Sequence, residues 1–109
     1  MDTLMILSVQ ELAQLQAQGG KLRLIDVREA DEWQICRIPG AELIPLSQFD
    51  KVAPEKLEED EKIVLYCHHG MRSARAQRFL QARGYTQVIN LTGGIDAWSL
   101  QVDPKTPRY

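Results

Sequence analysis

Apolar and polar positions along the chain fall into blocks that switch between a strand-like and a helix-like rhythm. Ser8-Val9-Gln10-Glu11 is a capping box, in which a serine and a glutamate three residues apart serve each other's backbone N–H. Leu12 and Leu15 then supply a short apolar stripe, and Gly19-Gly20 stops that helix. Leu22 to Val27 reads as a strand, with charge entering at its C-terminal end. A helical turn is expected over 29–35, a turn at Ile38-Pro39-Gly40-Ala41, and a brief strand at Glu42-Leu43-Ile44. The charged stretch from Asp50 to Asp60 predicts a solvated helix or loop, with Pro54 as a first helical residue. Lys62-Ile63-Val64-Leu65-Tyr66 is short, apolar and rich in strand-forming residues, so it predicts a buried strand. Residues 67–72 then form the loop at its C-terminal end. Ser73 to Arg83 predicts a helix with Ala76, Phe79 and Leu80 facing the core and Gly84 just past its end. Gln87 to Leu91 is a further strand, and Gly93-Gly94 turns the chain into a last short helix around Ala97-Trp98, with Trp98 in the core. The tail from Gln101 carries two prolines and few apolar residues, so it is expected along the surface.

Strands alternating with helices predict an α/β fold of three layers, a central and mainly parallel sheet flanked by helices. The 109 residues fit one domain over 1–109. A chain of that length buries roughly two-thirds of the surface it exposes when unfolded, enough for one modest core.

Composition narrows the function. The apolar share is 44% and the charged share 26%, both ordinary for a globular protein. A net charge of −2 offers neither a basic field for a nucleic-acid backbone nor a polybasic patch for a membrane. The opening MDTLMIL has no cationic leader and turns polar at Ser8, and no run of apolar residues is long enough to span a bilayer. A cytoplasmic protein is the expectation. Cys36 and Cys67 make neither a disulfide framework nor a CxxC metal spacing, so at least one free thiol in a reducing compartment is expected.

The chemistry concentrates at Tyr66-Cys67-His68-His69-Gly70-Met71-Arg72-Ser73. In open α/β sheets ligands bind at the carboxyl ends of the strands, and here a cysteine stands at that point. The helix that follows directs its free N–H groups and dipole toward the sulfur, and a loop curled around it adds further N–H groups. Such a nest favours thiolate, whereas an ordinary thiol is only about 3% ionised at pH 7. Gly70 allows the backbone a positive φ, and Arg72 adds a fixed charge with a planar fork suited to oxyanions. His68 and His69 are adjacent and are expected to tune charge and shape at the mouth; no fourth ligand at suitable spacing makes a zinc site of them. Cys36, with no motif around it, is expected to be passive.

This stretch resembles the active-site loop of the rhodanese-like sulfurtransferases, cysteine–x–x–glycine–x–arginine–serine, as Cys67, Gly70, Arg72 and Ser73. Asp26-Val27-Arg28-Glu29 is similar to that family's strand-end motif, Leu91 to Trp98 to its Gly-Gly…Ala-Trp motif, and Ile38 to Ala41 to a fourth element. The ending, Asp103-Pro104 with Pro107-Arg108-Tyr109, also resembles that of many bacterial single-domain members. Cys36-Arg37 stands where the family usually has glycine–histidine, and Arg72 is the only fixed cation of the loop. The resemblance implies Cys67 as a nucleophile that takes a sulfane sulfur from a small donor such as thiosulfate, or from a sulfur-donor protein such as a desulfurase. The persulfide then passes its outer sulfur to cyanide, a thiol or a sulfur-acceptor protein, without metal or organic cofactor. It further implies that His68, His69, Gly70, Met71, Arg72 and Ser73 line the loop. Asp26 and Arg28 would stand behind it.

Two other classes stay open at this point. One is a phosphatase or arsenate reductase of the same fold; against it, only four residues separate Cys67 from Arg72, giving a small cradle. The other is a non-catalytic interaction module, against which the presence of Cys67 speaks.

Overall fold

The capping box forms as the side chains dictate: Ser8 Oγ accepts from Glu11 N at 3.1 Å, and Ser8 N donates to the Glu11 carboxylate at 2.9 Å. It launches α1 (Val9–Ala17), which buries Val9 and Leu12 and ends before Gly19, a residue with positive φ. The computed structural model describes residues 5–109; residues 1–4, part of the opening segment, lie outside the described residues. Among those described, the strands are β1 (Met5–Leu7), β2 (Arg23–Asp26), β3 (Glu42–Leu43), β4 (Ile63–Tyr66) and β5 (Val88–Leu91). The remaining helices are α2 (Ala30–Ile35), α3 (Phe49–Lys56), α4 (Met71–Ala82) and α5 (Gly94–Gln101).

The sheet runs β1-β5-β4-β2-β3, and every pairing is parallel. All four residues of the central β4 are buried, as a parallel strand covered on both faces must be. Its side chains alternate between two cores. Ile63 and Leu65 enter the one roofed by Phe49, Ala53, Ala76 and Leu80 of α3 and α4. Val64 and Tyr66 enter the one roofed by Val9, Leu12, Ile95 and Trp98 of α1 and α5. The three layers expected from the alternating pattern are therefore present.

Several boundaries differ from expectation. β1 carries too few residues to announce itself, with two of its three side chains exposed, and exists because β5 offers it a parallel edge. Pro54 lies inside α3 and not at its first turn. A 3-10 turn over Leu46–Gln48 starts the helical path earlier, and Phe49, Ala53 and Leu57, spaced by four, anchor it in the core. The Asp50–Asp60 stretch is thus solvated on one side only. α4 begins at Met71, two residues before expectation, because Gly70 at φ 110° turns the chain directly into it. Arg72 therefore sits in the first helical turn. Gln77 takes a buried place on α4, donating to the Met5 and Val88 carbonyls, while Phe79 is half-buried. Gly84, at φ 92°, follows the C-cap as predicted. The tail is largely exposed, but it buries Thr106 and folds back to lay Tyr109 against the Cys67 loop.

Candidate active site

The alternation along β4 determines where Cys67 points. One residue beyond Tyr66, it returns to the face of Ile63 and Leu65, under the N-terminus of α4, and joins that core at 1% exposure. Asn90 of β5 pairs with Leu65 in register and so stands on the same face, one pleat behind the sulfur.

The loop 67–70 is shaped from outside. Gly93 and Gly94 both take positive φ and open α5 beside it. The free N–H groups of Ile95 and Asp96 donate to the carbonyls of Cys67 and His68 at 3.0 and 3.1 Å. A Cβ on Gly94 would collide with both carbonyl oxygens. With its carbonyls drawn outward, the loop presents N–H groups inward. Gly70 N donates to Cys67 Sγ at 3.0 Å, and Ser73 Oγ lies 3.5 Å from the sulfur. Asn90 braces this cradle from β5. Its Nδ2 donates to the Gly70 carbonyl at 3.0 Å, and its Oδ1 accepts from Ser73 Oγ at 2.6 Å.

Burial works against ionisation of Cys67, yet hydrogen bonds from Ser73 Oγ, whose one proton is shared between the sulfur and Asn90 Oδ1, and from the N–H groups of Ser73, Gly70 and His69 outweigh it. The thiol lies below its ordinary value. The arrangement favours the thiolate over the thiol.

Arg72 is held from α2. Its two terminal nitrogens donate to the two Glu32 oxygens at 2.7 and 2.8 Å. The bond to Arg72 is the main reason the Glu32 carboxyl drops to about 2. Tyr109 O–H donates to Glu32 at 2.7 Å and accepts from Arg28 Nη1 at 2.8 Å, while its ring stacks on His68 at 4.0 Å. Burial, the largest influence, pushes that hydroxyl up to about 12, so it keeps its proton. His68 is sandwiched, with His69 on its other side at 4.0 Å. Burial, then His69, lowers its pKa, so it is a neutral ring at pH 7, with a buried and unpartnered Nε2.

Asp26 and Arg28 form a wholly buried ion pair at 2.7 Å. Asp26 registers with Tyr66 and so faces the core opposite to Cys67. The Asp26 carboxylate accepts from Arg28 N, Nε and Nη2, and Arg28 in turn donates to the Cys36 carbonyl at 2.6 Å and reaches the site mouth through Tyr109. The connection of Asp26 to the loop therefore runs through Arg28 and Tyr109 and is not direct. Cys36 is buried beside Arg28, in the core across the sheet from Cys67.

Met71, at 81% exposure, stands at the rim. Glu32, Asn90 and the role of Tyr109 were not legible in the pattern: Glu32 reads only as part of the helical turn over 29–35, and the other two as a strand residue and a tail residue. The ligand atoms of His68, His69 and Asp96 lie within 4.8 Å of one another, a spacing that could hold a metal ion. Asp96, however, is engaged by Arg108 at 2.8 Å, and a metal would have to displace that pair.

A family model described as the rhodanese-like domain matches residues 8–101. The rhodanese-like/PpiC domain-containing protein 12, chloroplastic, of Arabidopsis thaliana is 43% identical over 90 residues, covering 80% of this chain and 30% of that protein. The probable adenylyltransferase/sulfurtransferase MoeZ of Mycobacterium tuberculosis is 42% identical over 101 residues, covering 92% of this chain and 26% of that protein. This chain thus spans under a third of the length of either relative. Among solved structures, the human single-domain sulfurtransferase TSTD1 superposes with a TM-score of 0.80 at 28% identity, over 91% of this chain and 98% of that one. The strand-end Asp26 motif, the Cys67 loop and the Gly93-Gly94 turn all fall inside the matched span, and the chain belongs to the family of rhodanese-like domains.

Proposed function

We propose that this domain is a sulfurtransferase that carries sulfane sulfur on Cys67. The observation behind this reading is the seat of Cys67 Sγ, buried at the N-terminus of α4 and hydrogen-bonded by Gly70 N at 3.0 Å. The kinship with chains called sulfurtransferases supports the same class.

The thiolate attacks the sulfane sulfur of thiosulfate, the sulfur–sulfur bond of the donor breaks, and sulfite leaves with the electron pair. The terminal sulfur of the Cys67 persulfide then occupies the mouth of the loop, and inward N–H groups stabilise its charge. A nucleophile such as cyanide or a thiolate attacks that outer sulfur and returns the electron pair to Cys67 Sγ. Ser73, Gly70 and His69 serve the sulfur, whereas Arg72, pinned by Glu32, holds the first turn of α4 and sets a positive charge near the nest. His68, His69 and Met71 shape the mouth. Since the Arg72 fork is occupied by Glu32, it is not free to clamp a phosphoryl group, which weighs against a phosphatase.

Intact mass after incubation with thiosulfate tests the reading. Gain of one sulfur atom, lost in Cys67→Ser and kept in Cys36→Ser, is the expected result. No gain in the wild-type chain with either thiosulfate or a protein persulfide donor would leave an interaction module instead.

A further inference from the structure

Between Glu61 and Asp96 the chain has no aspartate or glutamate, while Lys62, Arg72, Arg75, Arg78 and Arg83 all fall there. The net charge of −2 conceals this segregation. Arg72 is matched by Glu32, and Arg83 lies over the Phe79 ring at 4.5 Å. Arg75 and Arg78 are exposed and make no ion pair among the described residues. Spacing by three places them on successive turns of α4, each about 60° further round the helix from Arg72.

These arginines line a groove of about 500 Å³ whose head is formed by Gly70 and the exposed Met71. Gly70, which donates to Cys67 Sγ, thus belongs both to the groove and to the cradle of the sulfur. On the other flank of Arg75, a hollow of about 200 Å³ opens between Leu46, Phe49, Asp50 and Phe79. Arginine, methionine and aromatic side chains are the types enriched where proteins meet. Two free arginines neutralise too few phosphates to hold a nucleic acid firmly at physiological salt.

We propose that the arginine-lined groove of α4 docks an acidic segment of a sulfur-acceptor protein and delivers that partner's thiol to Cys67. The proposal rests on the sulfurtransferase reading and names its acceptor class. The acceptor thiolate attacks the outer sulfur of the Cys67 persulfide. The bond from that sulfur to Cys67 Sγ breaks, its electron pair stays on Cys67, and the acceptor leaves as a persulfide, with no oxidant consumed. Charge complementarity of this kind acts chiefly on the rate of encounter and fades with salt.

The test loads the protein with thiosulfate, confirms the added sulfur by mass and removes the excess donor. Two synthetic peptides of equal length are then offered, a cysteine followed by glutamates and a cysteine followed by lysines, and peptide persulfide is timed by mass spectrometry. The glutamate peptide should react at least about tenfold faster at low salt, and molar salt should erase the difference. Arg75→Glu with Arg78→Glu should reverse the preference while cyanide turnover stays within about twofold. Equal rates for the two peptides, or an unchanged preference in the double variant, would overturn the proposal. Tighter retention of a mixed-sequence RNA than of the glutamate peptide at physiological salt would overturn the protein assignment. Failure of the loading step would overturn the sulfurtransferase reading beneath it, and is seen before any peptide is added.

Discussion

Glu32 grips Arg72 with both carboxylate oxygens, at 2.7 and 2.8 Å, across 40 residues of sequence. The pair ties α2 to the first turn of α4 and so steadies the helix end above Cys67. A bidentate bond needs the planar guanidinium, which lysine lacks.

Arg72→Lys is therefore expected to lower kcat/KM with thiosulfate at least about tenfold, near 1.4 kcal/mol of transition-state stabilisation, with the fold intact. Glu32→Gln should bring a loss of the same kind, and the double variant should lose less than the sum of the singles. Steady-state kinetics of the four proteins checks this, and strict additivity would count against coupling. Glu32 also carries a pH signature. Its carboxyl stands at about 2 when folded against 4.5 when free, so the stability it lends is fully present above pH 4.5 and drains away as pH falls toward 2. With Arg72 at 35% exposure that share is about 1 kcal/mol. Urea unfolding of wild type and Glu32→Gln should differ at pH 6 and converge on acidification.

Cys67 owes its acidity to hydrogen bonds that overcome its burial. Its alkylation rate should show an inflection below the ordinary thiol range. Ser73→Ala removes one donor and leaves burial in place, so the inflection should move to higher pH. An unmoved inflection would assign the whole effect to backbone N–H groups.

Asp26 and Arg28 sit wholly buried, and Tyr109 links them to Glu32. Asp26→Asn leaves the Arg28 charge uncompensated and should lower stability by about 3 kcal/mol or more. Tyr109→Phe keeps the stack on His68 but deletes both hydroxyl bonds, so about 1 kcal/mol is the expected loss. Thermal or urea denaturation reads both, and a Tyr109→Phe protein as stable as wild type would show the tail to be loosely held.

Gly94→Ala should be more damaging than its size suggests. A Cβ there strikes the Cys67 and His68 carbonyls, and the residue sits at φ +59°. Steric strain of that sort costs of order 1–3 kcal/mol. Persulfide formation should fall sharply, because the loop carbonyls are pushed inward. Normal loading in Gly94→Ala would mean that the loop does not depend on α5.

What the sequence by itself determined is local or periodic. Ser8 and Glu11 cap a helix because three residues of spacing bring their atoms together. The buried β4, the cysteine at its end and the glycines that need positive φ at 70, 84 and 93–94 are all legible, since each follows from side-chain alternation or backbone sterics. The tertiary structure decided what depends on distant segments meeting. β1 forms because β5 lies beside it, Pro54 is tolerated inside α3 because Phe49, Ala53 and Leu57 are anchored in a core, and Asn90 reaches the Cys67 loop because β5 pairs with β4 in that register. Glu32 and Tyr109 meet across 77 residues. No periodicity in a single chain encodes such a contact, because the partners are chosen by how the layers pack and by which buried charges must then be satisfied.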